Sequence, residues 1–179
     1  MDIRAERTKN NIINAFIELR SKKEIEKITV KELANLSCIN KATFYRHFED
    51  IYVLSEYIEN DLIKDCINSI PIDTDLLDKN GLLAMTTAFV NQRELFSIIF
   101  SGSRLSVGIQ KLHQQVMERI YQAHPEFKDD LEKQIILSSA IYGDIYAYYQ
   151  YKDTDFNFFI DSIVKLNHAL EYILNSNLR

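Results

Sequence analysis

Between Asn40 and Phe48 the chain reads Asn-Lys-Ala-Thr-Phe-Tyr-Arg-His-Phe, a stretch with two chemistries on two faces. Phe44 and Phe48 lie one helical turn apart and face a core if the segment is helical. Lys41, Thr43, Tyr45, Arg46 and His47 are then left to project from the remaining surface. Lysine and arginine there can meet phosphates or guanine, and threonine a base edge or a phosphate. The major groove of duplex DNA admits one helix, and base edges are met by its amino-terminal side chains. The chemistry on offer is recognition of duplex DNA, not the making of bonds.

Such side chains need a helix held at a defined angle. Asn40 is a good amino-terminal cap for it. Upstream, Thr29-Val30-Lys31-Glu32 has capping-box spacing, in which Thr29 covers a free amide and Glu32 reaches back. Val30, Leu33 and Ala34 form the apolar stripe of this second short helix, and Ser37-Cys38-Ile39 interrupts it. Two short helices joined by a short turn, ahead of a longer helix, form a helix-turn-helix signature. Before it, Ile12, Ala15, Phe16 and Leu19 mark one face of a helix over Ile3 to Arg20, with Arg4, Arg7, Lys9 and Asn10 opposite. A charged connector, Ser21 to Lys27, links the two. After it, Asp50 caps a longer helix running to about Ser69, with Ile51, Leu54, Ile58 and Leu62 on one face.

The composition agrees with a helical chain. Of 179 residues only 4 are glycine and 2 proline, which leaves little material for tight hairpins and favours an all-α fold. The 46% hydrophobic and 26% charged content is that of an ordinary globular protein. The net charge of −5 argues against a general nucleic-acid coat. Residues 1–50 nevertheless hold 10 Lys/Arg against 8 Asp/Glu, while residues 51–179 hold 11 against 18. No apolar run reaches the roughly 18 residues that span a membrane. The Met-Asp-Ile-Arg-Ala-Glu-Arg start is too charged for a signal peptide, so the expected location is cytoplasmic. Cys38 and Cys66 lack metal spacing and are expected to be small, reduced core residues. No Gly-rich phosphate loop, Cys-x-x-Cys, nucleophile elbow or Glu-x-x-His pair occurs, so neither an enzyme nor a cofactor is expected.

Residues 29–48 resemble the helix-turn-helix of TetR-family transcriptional regulators. The likeness rests on Thr43-Phe44-Tyr45-Arg46-His47-Phe48, on Ile28-Thr29-Val30 with Leu33-Ala34, and on Ile12 to Phe16. It covers about residues 3–64. The resemblance implies a DNA-binding domain over 1–64 and a regulatory, ligand-binding and dimerisation domain over 65–179, about nine helices in all. It implies that Thr29 is a phosphate-contacting cap, that Lys41 and Thr43 meet bases or backbone, and that Tyr45 and His47 hold phosphates. Two positions depart from the pattern: Cys38 replaces the turn glycine of many members, and Ile51 stands where a lysine often opens the fourth helix. The implied function is a homodimeric repressor released from operator DNA by a small molecule. The alternative is a DNA-binding coactivator or nucleoid-associated protein with no inducer.

The second part reads as helices at about 75–89, 92–101, 104–123, 127–151 and 155–176, the last two an antiparallel pair. It is rich in aromatics. Phe89, Phe96, Phe100, Tyr142 and Tyr146 are expected to wall a pocket for an apolar or aromatic ligand, with a tyrosine hydroxyl orienting it. The same aromatics equally suit core and dimer packing. His113, His124 and His168 lack neighbours at metal-ligand spacing. Gly143 either permits close approach of a second helix or is a tolerated helix glycine costing about 1 kcal/mol relative to alanine, and Ile135, Ile136, Ile163, Leu166 and Leu170 supply more apolar surface than a monomer needs to bury.

Overall fold

A computed structural model describes residues 3–151 and 154–175, with side chains for all of these except 156, 168 and 170–175. Among the described residues there are nine α-helices and no strand. They are α1 (Ile3–Arg20), α2 (Val30–Leu36), α3 (Lys41–His47), α4 (Ile51–Asn68), α5 (Lys79–Asn91), α6 (Arg93–Ile99), α7 (Leu105–Ala123), α8 (Leu131–Tyr151) and α9 (Phe156–Asn175). The all-α expectation holds, and the first four helices begin and end within a residue or so of the expected positions. The later starts move because caps decide them. The Asp78 carboxylate accepts from the Gly81 amide at 2.7 Å, which starts α5 at Lys79. Pro125–Asp129 forms a separate 3-10 turn, and Asp130 caps the Lys133 amide at 3.1 Å, so α8 starts at Leu131.

The chain divides into two compact units, Met1–Leu62 with Arg93–Gly108, and Ile63–Gln92 with Ile109–Arg179. The first unit therefore includes α6 and the following turn, which the sequence reading gave to the second. Buried polar groups explain why. Arg20 ends α1 with its side chain fully buried, and its guanidinium donates to the Ser101 hydroxyl at 2.6 Å and to the Ile99 and Ser101 carbonyls at 3.3 Å. Arg104 donates through Nε and a terminal nitrogen to both oxygens of Glu59, at 2.8 and 2.6 Å. Glu59 is fully buried on α4 and also accepts from Ser55 at 2.8 Å. Such a fork matches the carboxylate in geometry and satisfies a charge that burial would otherwise penalise. In the same unit Ile12, Phe16, Leu33, Phe44 and Leu54 are all at 0% exposure.

In the second unit α9 packs on α5 and α8. Leu82, Ile160, Ile163 and Val164 form a buried cluster, with Met85, Ala147 and Phe159 against it. Cys66 is buried, and desolvation pushes its thiol up to about 11. Cys38, expected in the core, is exposed instead, because it sits at a turn rather than on a helix face. His113 stacks on Tyr142 with ring centres 4.4 Å apart, and its Nε2 lies 3.0 Å from the Ser138 hydroxyl. His124 Nε2 lies 2.9 Å from Asp75. The side chains of His168 and Leu170 lie outside the described residues.

Candidate nucleic-acid interface

Helix α3 is positioned from its two ends and from beneath. At the start of α2 the capping box is complete. The Thr29 amide donates to Glu32 at 3.0 Å, and its hydroxyl donates to the same oxygen at 2.8 Å while accepting from the Glu32 amide at 3.3 Å. Lys23 binds the other Glu32 oxygen at 2.6 Å. These partners, Lys23 first and then Thr29, pull the Glu32 carboxyl down to about 2. Thr29 itself is exposed, with its hydroxyl turned to Glu32.

Helix α2 ends in a Schellman closure. The Ile39 amide donates to the Ala34 carbonyl at 2.9 Å, and the Cys38 amide to Asn35 at 3.2 Å. That closure needs a left-handed residue, and Cys38 occupies it at φ 56°. A side chain there costs roughly 1–2 kcal/mol, and glycine's larger unfolded-state entropy offsets about half of its relief. Cys38→Gly is therefore expected to stabilise the protein by about 0.5–1 kcal/mol, read as a higher denaturant midpoint. A lower midpoint would show that the thiol contributes more than the turn strain costs.

Asn40 then starts α3, its carboxamide oxygen accepting from the Thr43 amide at 2.7 Å. Phe44 and Phe48 are buried at 0% and 5% exposure, with ring centres 6.1 Å apart, and so anchor the helix from below. Tyr57 of α4 lies 5.9 Å behind Phe48, and the Lys9 ammonium of α1 sits 3.8 Å from the Tyr57 ring centre. With that face fixed, Lys41, Tyr45 and Arg46 are exposed and Thr43 and His47 half-buried. Tyr45 leans its ring edge on Phe44 at 5.5 Å yet remains 56% exposed. Arg46 donates to the Thr43 hydroxyl at 3.0 Å, a pairing that the i, i+3 spacing allows. All six expected DNA-contacting side chains thus lie on α3 or at the start of α2 and reach the surface.

The expected pocket aromatics are not brought together. Phe89 lines an apolar cavity of about 60 Å³ in the second unit, with Leu82, Leu112, Ile141, Tyr148 and Phe159. Phe96 and Phe100 belong to the first unit, buried against each other at 5.5 Å. Tyr142 instead faces an open polar groove beside His113 and Gln114, and Tyr146 is 58% exposed. A helix advances 100° per residue, so Tyr142 and Tyr146 share a face, but that face is not the one α8 turns inward. Tyr148 and Phe159 take the places assigned to them, and Phe89 meets the Tyr148 ring edge at 4.8 Å. The cavity wall also carries Asp144, which the sequence reading passed over. Its signal was present: Ala140, Ile141, Ala147 and Tyr148 surround Asp144 at i±3 and i±4, an acid on an apolar stripe.

No protein-family model and no curated protein sequence matches the chain. Among solved structures it is similar to one from Vibrio parahaemolyticus assigned to the TetR family of transcriptional regulators. The two share 15% sequence identity and a TM-score of 0.60, over 89% of this chain and 96% of that one. With the helix-turn-helix in place at residues 29–48, the chain has the all-α fold of that TetR-family protein.

Proposed function

We propose that the protein is a sequence-specific DNA-binding transcriptional regulator of the TetR type, a homodimer that represses and is released by a small ligand. The observation that carries the DNA-binding part is α3: two buried phenylalanines below and Lys41, Thr43, Tyr45, Arg46 and His47 outward, on a capped helix after a tight turn. Tyr45 touches Phe44 yet is more than half exposed, which leaves its hydroxyl suited to a phosphate or base contact. The test is titration of duplex DNA carrying a selected site across salt concentration. Affinity is expected to fall steeply as salt rises, by release of condensed counterions.

One such unit reads only a few base pairs, so usable affinity calls for two, with half-sites about one helical turn apart. The surface of the second unit supports a pair. Ile135 on α8 is 58% exposed and Leu166 on α9 51%, apolar surface that a second copy would cover. Ser139 and Gly143 follow Ile135 at four-residue spacing, also exposed, and a Cβ at Gly143 would meet nothing within 4 Å. Ile163, by contrast, is a core residue, and Ile136 is half-buried. Ile135→Glu with Leu166→Glu is expected to convert a dimer to monomer at micromolar concentration in sedimentation, with helix content unchanged. A wild-type protein that sediments as a monomer, with and without DNA, contradicts the homodimer.

Ligand release requires the ligand to prefer the unbound form. A coupling of about 1–3 kcal/mol weakens DNA binding roughly 5- to 150-fold, and DNA must weaken ligand binding by the same factor.

A further inference from the structure

The cavity between α4, α5, α7, α8 and α9 is lined mainly by apolar side chains, with Thr86 and a single charged residue, Asp144, among them. Cys66, Leu82, Met85 and Ile163 are typical of its wall, and Phe89, Tyr148 and Phe159 add aromatic rings. Asp144 lies on this wall and also on that of a smaller adjoining cavity of about 40 Å³. Its Oδ2 accepts from the Asn167 carboxamide at 3.3 Å. Its Oδ1 is buried and has no hydrogen-bond partner among the described residues. A buried acceptor left without a donor is uncommon in native proteins and marks a place for a missing partner.

We propose that this cavity binds a small organic cation, an ammonium on a compact apolar or aromatic body, with Asp144 as its counter-ion. The inference rests on reading the second unit as the ligand-binding part, and it adds a positive charge to the apolar or aromatic ligand expected from the aromatics alone. An ammonium N–H donates to Oδ1, a charge-assisted bond stronger than a neutral one. Phe89, Tyr148 and Phe159 line the cavity, and an aromatic face met by the ligand favours a cation over a neutral body. The volume holds several waters by the measure in which one needs roughly 10–15 Å³, which limits the ligand to a compact one. Desolvation holds the Asp144 carboxyl up, to about 6, so it is largely ionised at neutral pH while poorly solvated. A bound cation supplies what solvent does not.

The experiment compares 2-phenylethylammonium with 2-phenylethanol, neutral and nearly the same shape, by calorimetry at pH 7.5 on the full-length protein and on Asp144→Asn. The wild type is expected to bind the ammonium at least ten-fold tighter than the alcohol. In Asp144→Asn that preference should disappear while the alcohol binds as before. Equal affinities in the wild type, a preference that survives Asp144→Asn, or no binding of either compound at millimolar concentration would each overturn the cation site. Binding of the alcohol alone would leave an apolar pocket and remove the charge recognition. Duplex-DNA titration of the same two proteins without ligand reads the regulator proposal separately. Its failure there is distinct from any of these outcomes.

Discussion

Changing Lys41 to Ala, Tyr45 to Phe and His47 to Ala in one chain is expected to lower duplex-DNA affinity by about three orders of magnitude. The estimate counts contacts. A two-fold dimer loses each contact twice, and six contacts at a modest net value of about 0.5–1 kcal/mol each sum to roughly 3–6 kcal/mol. The protein should remain folded, because Lys41 and Tyr45 are exposed and His47 half-buried, while the anchors Phe44 and Phe48 are untouched. The single changes should separate by kind. Tyr45→Phe weakens binding to all sequences alike, since a phosphate contact carries no base information. Lys41→Ala should flatten the salt dependence by about two in log–log slope, one phosphate per protomer. Thr43→Ala should change which site is preferred, and it also releases Arg46 from the hydroxyl it holds at 3.0 Å. A triple variant that binds duplex DNA as the wild type does would remove α3 as the reading helix.

The second large effect concerns stability. Arg104→Ala is expected to destabilise the first unit by about 3–5 kcal/mol, the usual cost of breaking a buried ion pair from one side. Glu59 has no exposure, and the guanidinium fork supplies bonds of 2.8 and 2.6 Å to its two oxygens. Removing the fork strands a carboxylate in a place built for a pair. In a chain of this size that corresponds to a fall in melting temperature of about 6–20 °C. The double variant Glu59→Leu with Arg104→Met should recover part of the loss, because it leaves no unpaired charge although the buried Ser55 hydroxyl loses its Glu59 acceptor. Calorimetry of both variants decides it. A single variant that melts with the wild type would show that solvent reaches Glu59.

Local rules explain why so much of the first unit was legible. Thr29, Asn40 and Asp50 cap helices through bonds to residues three positions on, and all three bonds are present. Phe44 and Phe48 are buried because their four-residue spacing puts them on one side of a helix, and Leu54, Ile58 and Leu62 are buried for the same reason. Cys38 was less legible: it was expected in the core, whereas it is exposed and takes the left-handed turn at φ 56°. These are interactions over three to five residues, where the sequence carries its own geometry.

What the chain alone determined is therefore the helices, their caps and the face of α3 that is left to the surface. Which helices share a unit was decided only in three dimensions. Arg20 meets Ser101 across 81 positions and Arg104 meets Glu59 across 45, and no periodicity announces either. The cavity was settled the same way. Tyr142 and Phe89 are both aromatic and both on helices, yet only Phe89 reaches the cavity, because α8 turns Ile141, Asp144 and Tyr148 inward. A helix's amphipathic pattern states that a face is buried, whereas what it is buried against depends on the partner helices. For Asp144 that difference is the whole of its chemistry. On a solvated face it would be an ordinary carboxylate; on the wall shared with Phe89, Tyr148 and Phe159 it has a buried acceptor with no hydrogen-bond partner among the described residues.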